Sequence, residues 1–227
     1  MLADFVNLIF PNQCRACGNN LMRGEDIICT FCNYHLPKTN FHFVDENPVI
    51  KHFWGKVHVS HATAYYYFHK GEKVQSLIHA LKYRGEKEIG VKIGQWCGHD
   101  LKAVPEYGCC DFIVPVPLHK RRLRSRGYNQ AEMFGEGLSS ALGIKLLTQT
   151  LMRKVATETQ TKKHRYNRFE NMKDVFEIVN ASDFINKTFL LVDDVITTGS
   201  TLASCAEELL KIPGVKVNIA AMAYAHR

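Results

Sequence analysis

Short apolar segments that alternate with helical ones restrict the folds open to this chain. Three of them, "DFIVPVP" (111–117), "TFLLV" (188–192) and "VKVNIAAMAYA" (215–225), have the composition of buried strands. The segments "NQAEMFGEGLSSALG" (129–143) and "STLASCAEELLKI" (200–212) predict helices, with Asn129 a candidate N-cap and Gly143 following the C-terminus. Strand and helix alternation favours a mostly parallel sheet covered on both faces. We therefore predict an α/β fold.

The first half adds further elements. Residues 62–69, rich in aromatic and β-branched side chains, predict a strand. An amphipathic helix that ends near Gly85 is predicted from apolar residues at i, i+3, i+4 and i+7, namely Val74, Leu77, Ile78 and Leu81. A second helix is expected over 88–103 and a strand over 175–179, whereas 41–60 and the polar, basic segment 150–172 predict loops.

The size and hydropathy of the chain limit its class. With 227 residues, 46% of them hydrophobic, it can form one ordinary core with a small appended module. No apolar run approaches the ~20 residues that span a bilayer. The N-terminus lacks a basic region and carries Asp4, so we expect no signal peptide and a cytoplasmic location.

Four of the eight cysteines are regularly spaced. They form two C-x2-C pairs separated by eleven residues: Cys14, Cys17, Cys29 and Cys32. Two such knuckles supply four thiolates for one tetrahedral metal, so we predict a structural Zn2+ site that holds residues 1–40 folded. A redox pair, two disulfides and iron in place of zinc are the alternatives.

Two basic segments account for much of the net charge of +7. Five of the seven residues from Lys120 to Arg126 are Lys or Arg, and "KKHRYNRF" (162–169) adds four more. They form either a solvated surface or a site for phosphates or nucleic acid.

The segment "FLLVDDVITTGST" (189–201) carries the clearest chemical signal. Asp193 and Asp194 follow an apolar strand directly, where ligands of open α/β sheets bind. The start of the next helix favours an anion, and Gly199 allows close backbone approach. Four hydroxyls surround that glycine: Thr197, Thr198, Ser200 and Thr201. We expect the turn to bind a phosphate and the carboxylates to bind vicinal hydroxyls, as in ribose 5-phosphate. The alternative is that the aspartates cap a turn and that Ser200 or Thr201 N-caps the helix.

This segment resembles the signature with which type I phosphoribosyltransferases bind 5-phosphoribosyl 1-pyrophosphate (PRPP). The double C-x2-C, "HALKYRGE" (79–86) and "VPVPLHKRRLRSRGYNQ" (114–130) resemble, in order, those of the ComF family. The resemblance implies a Rossmann-like phosphoribosyltransferase domain over 41–227. Within it, 41–108 would form a hood and 109–227 the PRPP-binding core, with the zinc module at 1–40.

The resemblance also implies roles for individual residues. Asp193 and Asp194 would bind the ribose hydroxyls, directly or through Mg2+, and residues 197–201 would surround the 5-phosphate. Pyrophosphate would bind the turn after 111–117, with Arg126 and Asn129 first and Arg121 and Arg122 in support. The segment 150–172 would form a lid over the site, and Arg168 on it would be catalytic. Its length without predicted secondary structure fits a lid, but it fits a plain loop as well.

The implied reaction transfers ribose 5-phosphate from Mg2+-bound PRPP to an unidentified acceptor and releases pyrophosphate. Known ComF members are linked to DNA uptake in natural transformation. A non-catalytic protein is therefore the alternative: a single-stranded-DNA-binding partner of competence proteins, or a sensor of PRPP or a nucleotide. In the first case Tyr128, Tyr166 and Phe169 would stack on bases.

Overall fold

The computed structural model describes residues 12–153 and 176–225. Its seven strands are β1 (His61–Tyr67), β2 (Phe112–Pro115), β3 (Lys145–Leu146), β4 (Leu151–Arg153), β5 (Phe176–Ile178), β6 (Thr188–Ile196) and β7 (Lys216–Tyr224). Five of them form one sheet in the order β1-β7-β6-β2-β3, with every neighbouring pair parallel. The parallel α/β sheet predicted from the sequence is confirmed.

Helices cover this sheet on both faces. Those described are α1 (Thr30–His35), α2 (Pro48–Lys51), α3 (Lys73–Tyr83), α4 (Glu88–Leu101), α5 (Pro105–Gly108), α6 (Lys120–Arg126), α7 (Gln130–Leu142) and α8 (Ser200–Leu210), with 3-10 turns at Phe41–Phe43 and Ala181–Phe184. The helices predicted over 88–103, 129–143 and 200–212 correspond to α4, α7 and α8. Three short helices lie where the sequence predicted none. Helix α1 lies at the second cysteine knuckle, α2 in the predicted loop 41–60, and α6 in the turn after the strand 111–117.

Strand β6 lies at the centre of the sheet, between β7 and β2. Its side chains alternate between two hydrophobic clusters, with Phe189 and Leu191 in one and Leu190 and Val192 in the other. All four side chains are fully buried. A continuous apolar run is what a strand needs when both of its faces are covered.

Helices α4 and α7 pack against each other through glycines. An added Cβ on Gly94 would lie 2.3 Å from the Phe134 carbonyl oxygen, and one on Gly137 would lie 2.1 Å from that of Val91. The backbones therefore meet without intervening side chains. This close pair covers the face of the sheet that carries Leu190 and Val192.

The cysteine-containing segment packs onto the same face. Cys14, Cys29 and Cys32 belong to one buried cluster with residues of β1, α3 and α4. Two ion pairs reinforce the contact, from Arg15 to Glu86 at 2.9 Å and from Lys92 to Asp26 at 3.0 Å.

The end of one predicted strand needs correction, and a second predicted strand is confirmed but lies outside the main sheet. Strand β6 continues to Ile196, four residues past the predicted end, because the backbone pairing with β7 persists through the aspartates to Tyr224. The segment predicted over 175–179 forms β5, which pairs antiparallel with β4 outside the main sheet. Residues 154–175, which include Arg168 and most of the predicted lid, lie outside the described part of the chain.

Candidate functional site

A cleft of about 560 Å3 opens at the carboxyl ends of β6 and β2. Seven of the predicted site residues line it: Asp193, Asp194, Thr197, Thr201, Arg122, Arg126 and Asn129. Arg121, Thr198, Gly199 and Ser200 belong to the same two segments but do not line the cleft. Segments more than 60 residues apart in sequence thus converge on one cavity.

The two aspartates interact with each other at the end of the buried part of β6. The backbone N–H of Asp194 donates to Asp193 Oδ1 at 2.8 Å. Burial and the neighbouring Asp194 charge raise the pKa of Asp193 to about 8, although that hydrogen bond and Lys82 act in the opposite direction. Because the charged form of Asp193 is unfavourable here, a bound cation or hydroxyl donors would stabilise that charged form.

A lysine from α3 satisfies the second carboxylate. Lys82 Nζ lies 2.7 Å from Asp194 Oδ2, and the two side chains are only 21% and 15% exposed. The sequence predicted residues near Lys82 to lie at the pocket for the acceptor, and it predicted no contact between Lys82 and the acidic pair. The feature that could have indicated this contact is the position of Lys82 in "HALKYRGE", on the polar side of a helix whose other side is buried.

The hydroxyl-rich turn leads directly into α8. Gly199 is the N-cap residue, with φ of 71°, and it has no side chain with which to cap the helix. The N–H groups of the first turn therefore lack a cap from the N-cap residue, as an anion site requires. Ser200 and Thr201 lie inside the helix, so neither is the N-cap that the alternative interpretation required.

A second lysine contacts this turn from the other side. Lys56 Nζ donates to the Thr198 carbonyl oxygen at 3.3 Å, and the Phe53 ring packs against Gly199. Both come from the 41–60 segment, which offered no motif from which their position could be predicted.

The opposite wall is formed by α6 and the start of α7. Arg126 donates to Gln130 Oε1 at 2.6 Å, and its guanidinium lies over the Tyr83 ring, 5.3 Å from the centroid. The cleft also contains Arg122 and, from β4, Arg153. Three arginines thus face two aspartates across one cavity.

Asn129 has a different environment from these arginines. Its Nδ2 donates to the Val116 carbonyl at 3.0 Å, and its Oδ1 accepts from the Ala131 N–H at 3.1 Å. It is buried and is the N-cap of α7, as the sequence suggested. Its polar atoms therefore hold the wall together.

The four spaced cysteines form a second candidate site. Their sulfur atoms all lie within 4.8 Å of one another, and none is in a disulfide. Cys17 and Cys29 are 3.9 Å apart, close to the edge of a ZnS4 tetrahedron, which is about 3.8 Å for Zn–S bonds of about 2.3 Å. Backbone N–H groups also donate to Cys14 and Cys29 sulfur, from Cys29 and Cys32. The residues fit a four-coordinate structural metal with no open position, zinc or iron.

Comparison with known proteins matches the part of the chain that carries the acidic pair and the hydroxyl-rich turn. Residues 129–227 match the family model described as "Phosphoribosyl transferase domain". Among solved structures, purine phosphoribosyltransferase from Pyrococcus horikoshii is 22% identical, with a TM-score of 0.39 over 61% of this chain and 83% of that chain. The domain match makes this a protein with a phosphoribosyltransferase-like domain.

Three curated proteins are similar to a larger part of the chain. Competence protein F of Haemophilus influenzae is 35% identical over 127 residues, 56% of each chain. DNA utilization protein YhgH of Salmonella typhimurium is 34% identical over 146 residues, 63% of each chain. Competence protein ComFC of Streptococcus pneumoniae is 29% identical over 70% of this chain and 66% of that protein. The chain thus matches about three fifths of the length of the first two relatives. These similarities support the resemblance to ComF proteins that the motifs predicted.

Proposed function

We propose that the protein binds PRPP with Mg2+ and transfers ribose 5-phosphate to an acceptor, with release of pyrophosphate. The observation that carries this proposal is the convergence of an acidic pair, a hydroxyl-rich helix start and arginines on one 560 Å3 cleft. Each group matches one part of the donor: the ribose diol, the 5-phosphate and the pyrophosphate. The phosphoribosyl transferase domain match supports the same proposal.

The chemistry divides among these groups. The acceptor's lone pair forms a bond to ribose C1 while the bond from C1 to the pyrophosphate oxygen breaks, and the acceptor then loses a proton. Arg122 and Arg126 stabilise the negative charge that gathers on the departing pyrophosphate. Residues 197–201 and the acidic pair fix the two ends of the sugar, so catalysis is mostly positioning. Asp193 and Asp194 would hold Mg2+, which would supply further neutralisation of the pyrophosphate charge.

The test of donor binding is a thermal shift. Millimolar Mg-PRPP should raise the melting temperature of the full chain, and the double change Asp193→Asn with Asp194→Asn should abolish that rise. Asp183→Asn, at an exposed aspartate before β6, is the matched control and should respond as the unchanged protein does. Absence of any shift would refute the phosphoribosyl proposal. Consumption of PRPP with candidate acceptors then distinguishes an enzyme from a sensor.

Single-stranded DNA binding is a second candidate, favoured by α6. Lys120, Arg121, Arg122 and Arg124 are all exposed beside the cleft. Tyr128 is less suited to stack on a base than the sequence suggested, because its hydroxyl donates to the Leu81 carbonyl oxygen; Tyr166 and Phe169 lie outside the described residues. Affinity for a labelled oligonucleotide should fall steeply with salt and should weaken in Arg121→Gln with Arg124→Gln. If neither salt nor the two substitutions weakened binding, α6 would be excluded as the surface that binds single-stranded DNA.

We also propose the division suggested by the sequence, with a metal-stabilised module at 1–40 and the phosphoribosyltransferase-like domain at 41–227. A cytoplasmic location and a link to DNA uptake complete the proposal. The printed names of the relatives, which refer to competence and DNA utilization, support the link to DNA uptake. In the part of the chain that the structure describes, no helix has both the length and the apolar character needed to cross a membrane.

A further inference from the structure

The last residues of α3 contact both walls of the cleft. The Leu81 carbonyl oxygen accepts from the Tyr128 hydroxyl, next to the start of α7. Lys82 pairs with Asp194 on β6, and the Tyr83 ring lies under Arg126. Three successive residues thus connect the acidic pair to the arginine wall.

The helix that carries Lys82 is firmly held. Val74, Leu77, Ile78 and Leu81 of α3 are all buried in the core. The flexible part of this contact is therefore the four-carbon stem of Lys82, which allows its ammonium to move while the backbone of α3 stays fixed.

The pairing places a cation where the proposed function needs a different one. Asp194 is one of the two carboxylates suited to hold a divalent cation, and its Oδ2 already contacts an ammonium at 2.7 Å. Two cations on one half-buried carboxylate repel each other strongly, because the surroundings screen charge poorly. A divalent cation that reaches Asp194 must therefore displace Lys82.

We propose, building on the proposed function, that Lys82 is a positioning residue that competes with a divalent cation for Asp194 and turns to the anionic donor once displaced. The ammonium would then lie between the acidic pair and the arginines, where the phosphates of the donor bind. Metal arrival and donor binding are coupled through this one side chain. When the donor binds without metal, Lys82 is still paired with Asp194 and does not contact the donor. When the metal binds without the donor, its affinity is lowered by the free energy needed to separate Lys82 from Asp194.

The test uses Mn2+ alone, titrated into the full chain at pH 7.5 and followed by electron paramagnetic resonance. Lys82→Met and Lys82→Gln should each bind Mn2+ about tenfold more tightly than the unchanged protein, because the competing charge is gone. Lys82→Arg keeps the charge and should behave as the unchanged protein. Lys92→Met removes a lysine of similar exposure from an ion pair with Asp26, outside the cleft, and should leave Mn2+ affinity unaltered.

A double-mutant cycle connects the effect to Asp194. In an Asp194→Asn background, Lys82→Met should change Mn2+ affinity less than twofold, since the carboxylate for which the two cations compete is absent. Equal Mn2+ affinity in the unchanged protein and both neutral Lys82 variants would overturn the proposal. So would an equal gain from Lys82→Arg, which would indicate that loss of packing was responsible.

The outcomes separate this inference from the proposed function. Tighter Mn2+ binding in the neutral variants, with no thermal shift by Mg-PRPP in the unchanged protein, would support the competition and refute phosphoribosyl binding. A thermal shift by Mg-PRPP with identical Mn2+ affinities would refute the competition and support phosphoribosyl binding. A role for Lys82 in folding alone would lower the melting temperature without changing Mn2+ affinity, and that result also overturns the proposal.

Discussion

Asn129 joins the residue that follows β2 to α7: its Nδ2 donates to the Val116 carbonyl oxygen while its Oδ1 accepts from the Ala131 N–H. Asn129→Ala should lower the free energy of unfolding by about 2 kcal/mol, from a lost helix cap and a carbonyl left unpaired. Asn129→Ser keeps a capping oxygen without placing a charge against that carbonyl, and it should lose about half as much. Urea denaturation measures both. A fully stable Asn129→Ala protein with lost PRPP binding would instead make Asn129 a direct ligand.

The half-buried Asp193 makes stability depend on pH. Its pKa is raised from 3.8 to about 8 by burial and by Asp194, so the folded chain holds a proton that the unfolded chain loses. The protein is therefore stabilised by protonated Asp193 below about pH 4, and this contribution is lost as the pH rises to about 8. Asp193→Asn removes the dependence and keeps an oxygen for the Asp194 N–H.

Without ligand, Asp193→Asn should accordingly be more stable than the unchanged protein at pH 8, by on the order of 3 kcal/mol, and equally stable near pH 4. Urea denaturation across that range tests this. The exposed Asp183→Asn should follow the unchanged protein at every pH. Parallel curves for Asp193→Asn and the unchanged protein would show that Asp193 ionises normally.

The glycine contact between α4 and α7 should tolerate no side chain. A Cβ at Gly137 would lie 2.1 Å from the Val91 carbonyl oxygen, which is backbone and cannot turn away. Gly137→Ala should cost about 3 kcal/mol or more. Ser140→Ala, at an exposed position of the same helix, should change stability by less than about 0.5 kcal/mol. Similar melting temperatures for the two variants would contradict this packing.

Removal of metal from the four cysteines should lower the stability of the whole protein, not that of the N-terminal segment alone. Because Cys14, Cys29 and Cys32 share a core with α3, a chelator should lower the melting temperature of the whole protein. Elemental analysis should find about one metal ion per chain, and Cys32→Ser should lose it. The exposed Cys109→Ser should retain it. A chain that keeps its melting temperature without metal would contradict a structural role.

Much of the fold could be predicted because its signals are local. Apolar runs such as 188–192 and helical spacing such as that of Leu77, Ile78 and Leu81 depend only on neighbouring residues. Helix α6 escaped prediction because five of its seven residues are charged and none is buried, so there was no apolar periodicity to detect. Strand β4 escaped because its three residues pair with β5, which is remote in sequence.

The candidate site divides in the same way. The acidic pair and the hydroxyl turn lie in one short motif and could be identified directly. Lys82 and Lys56 reach them from more than 100 residues away, and only the folded chain shows that contact. The place of Asn129 inside a hydrogen-bonded corner likewise depends on Val116, which no spacing rule connects to it.

The central position of β6 has a consequence for how the site responds to fluctuation. With β7 on one side and β2 on the other, the amides of Leu190 to Val192 can exchange their hydrogens with solvent only when the whole sheet opens. Asp193 and Asp194 belong to that same central strand. Local breathing of the chain can therefore move the lysines and arginines around the cleft, whereas the carboxylates hold their positions for as long as the domain remains folded.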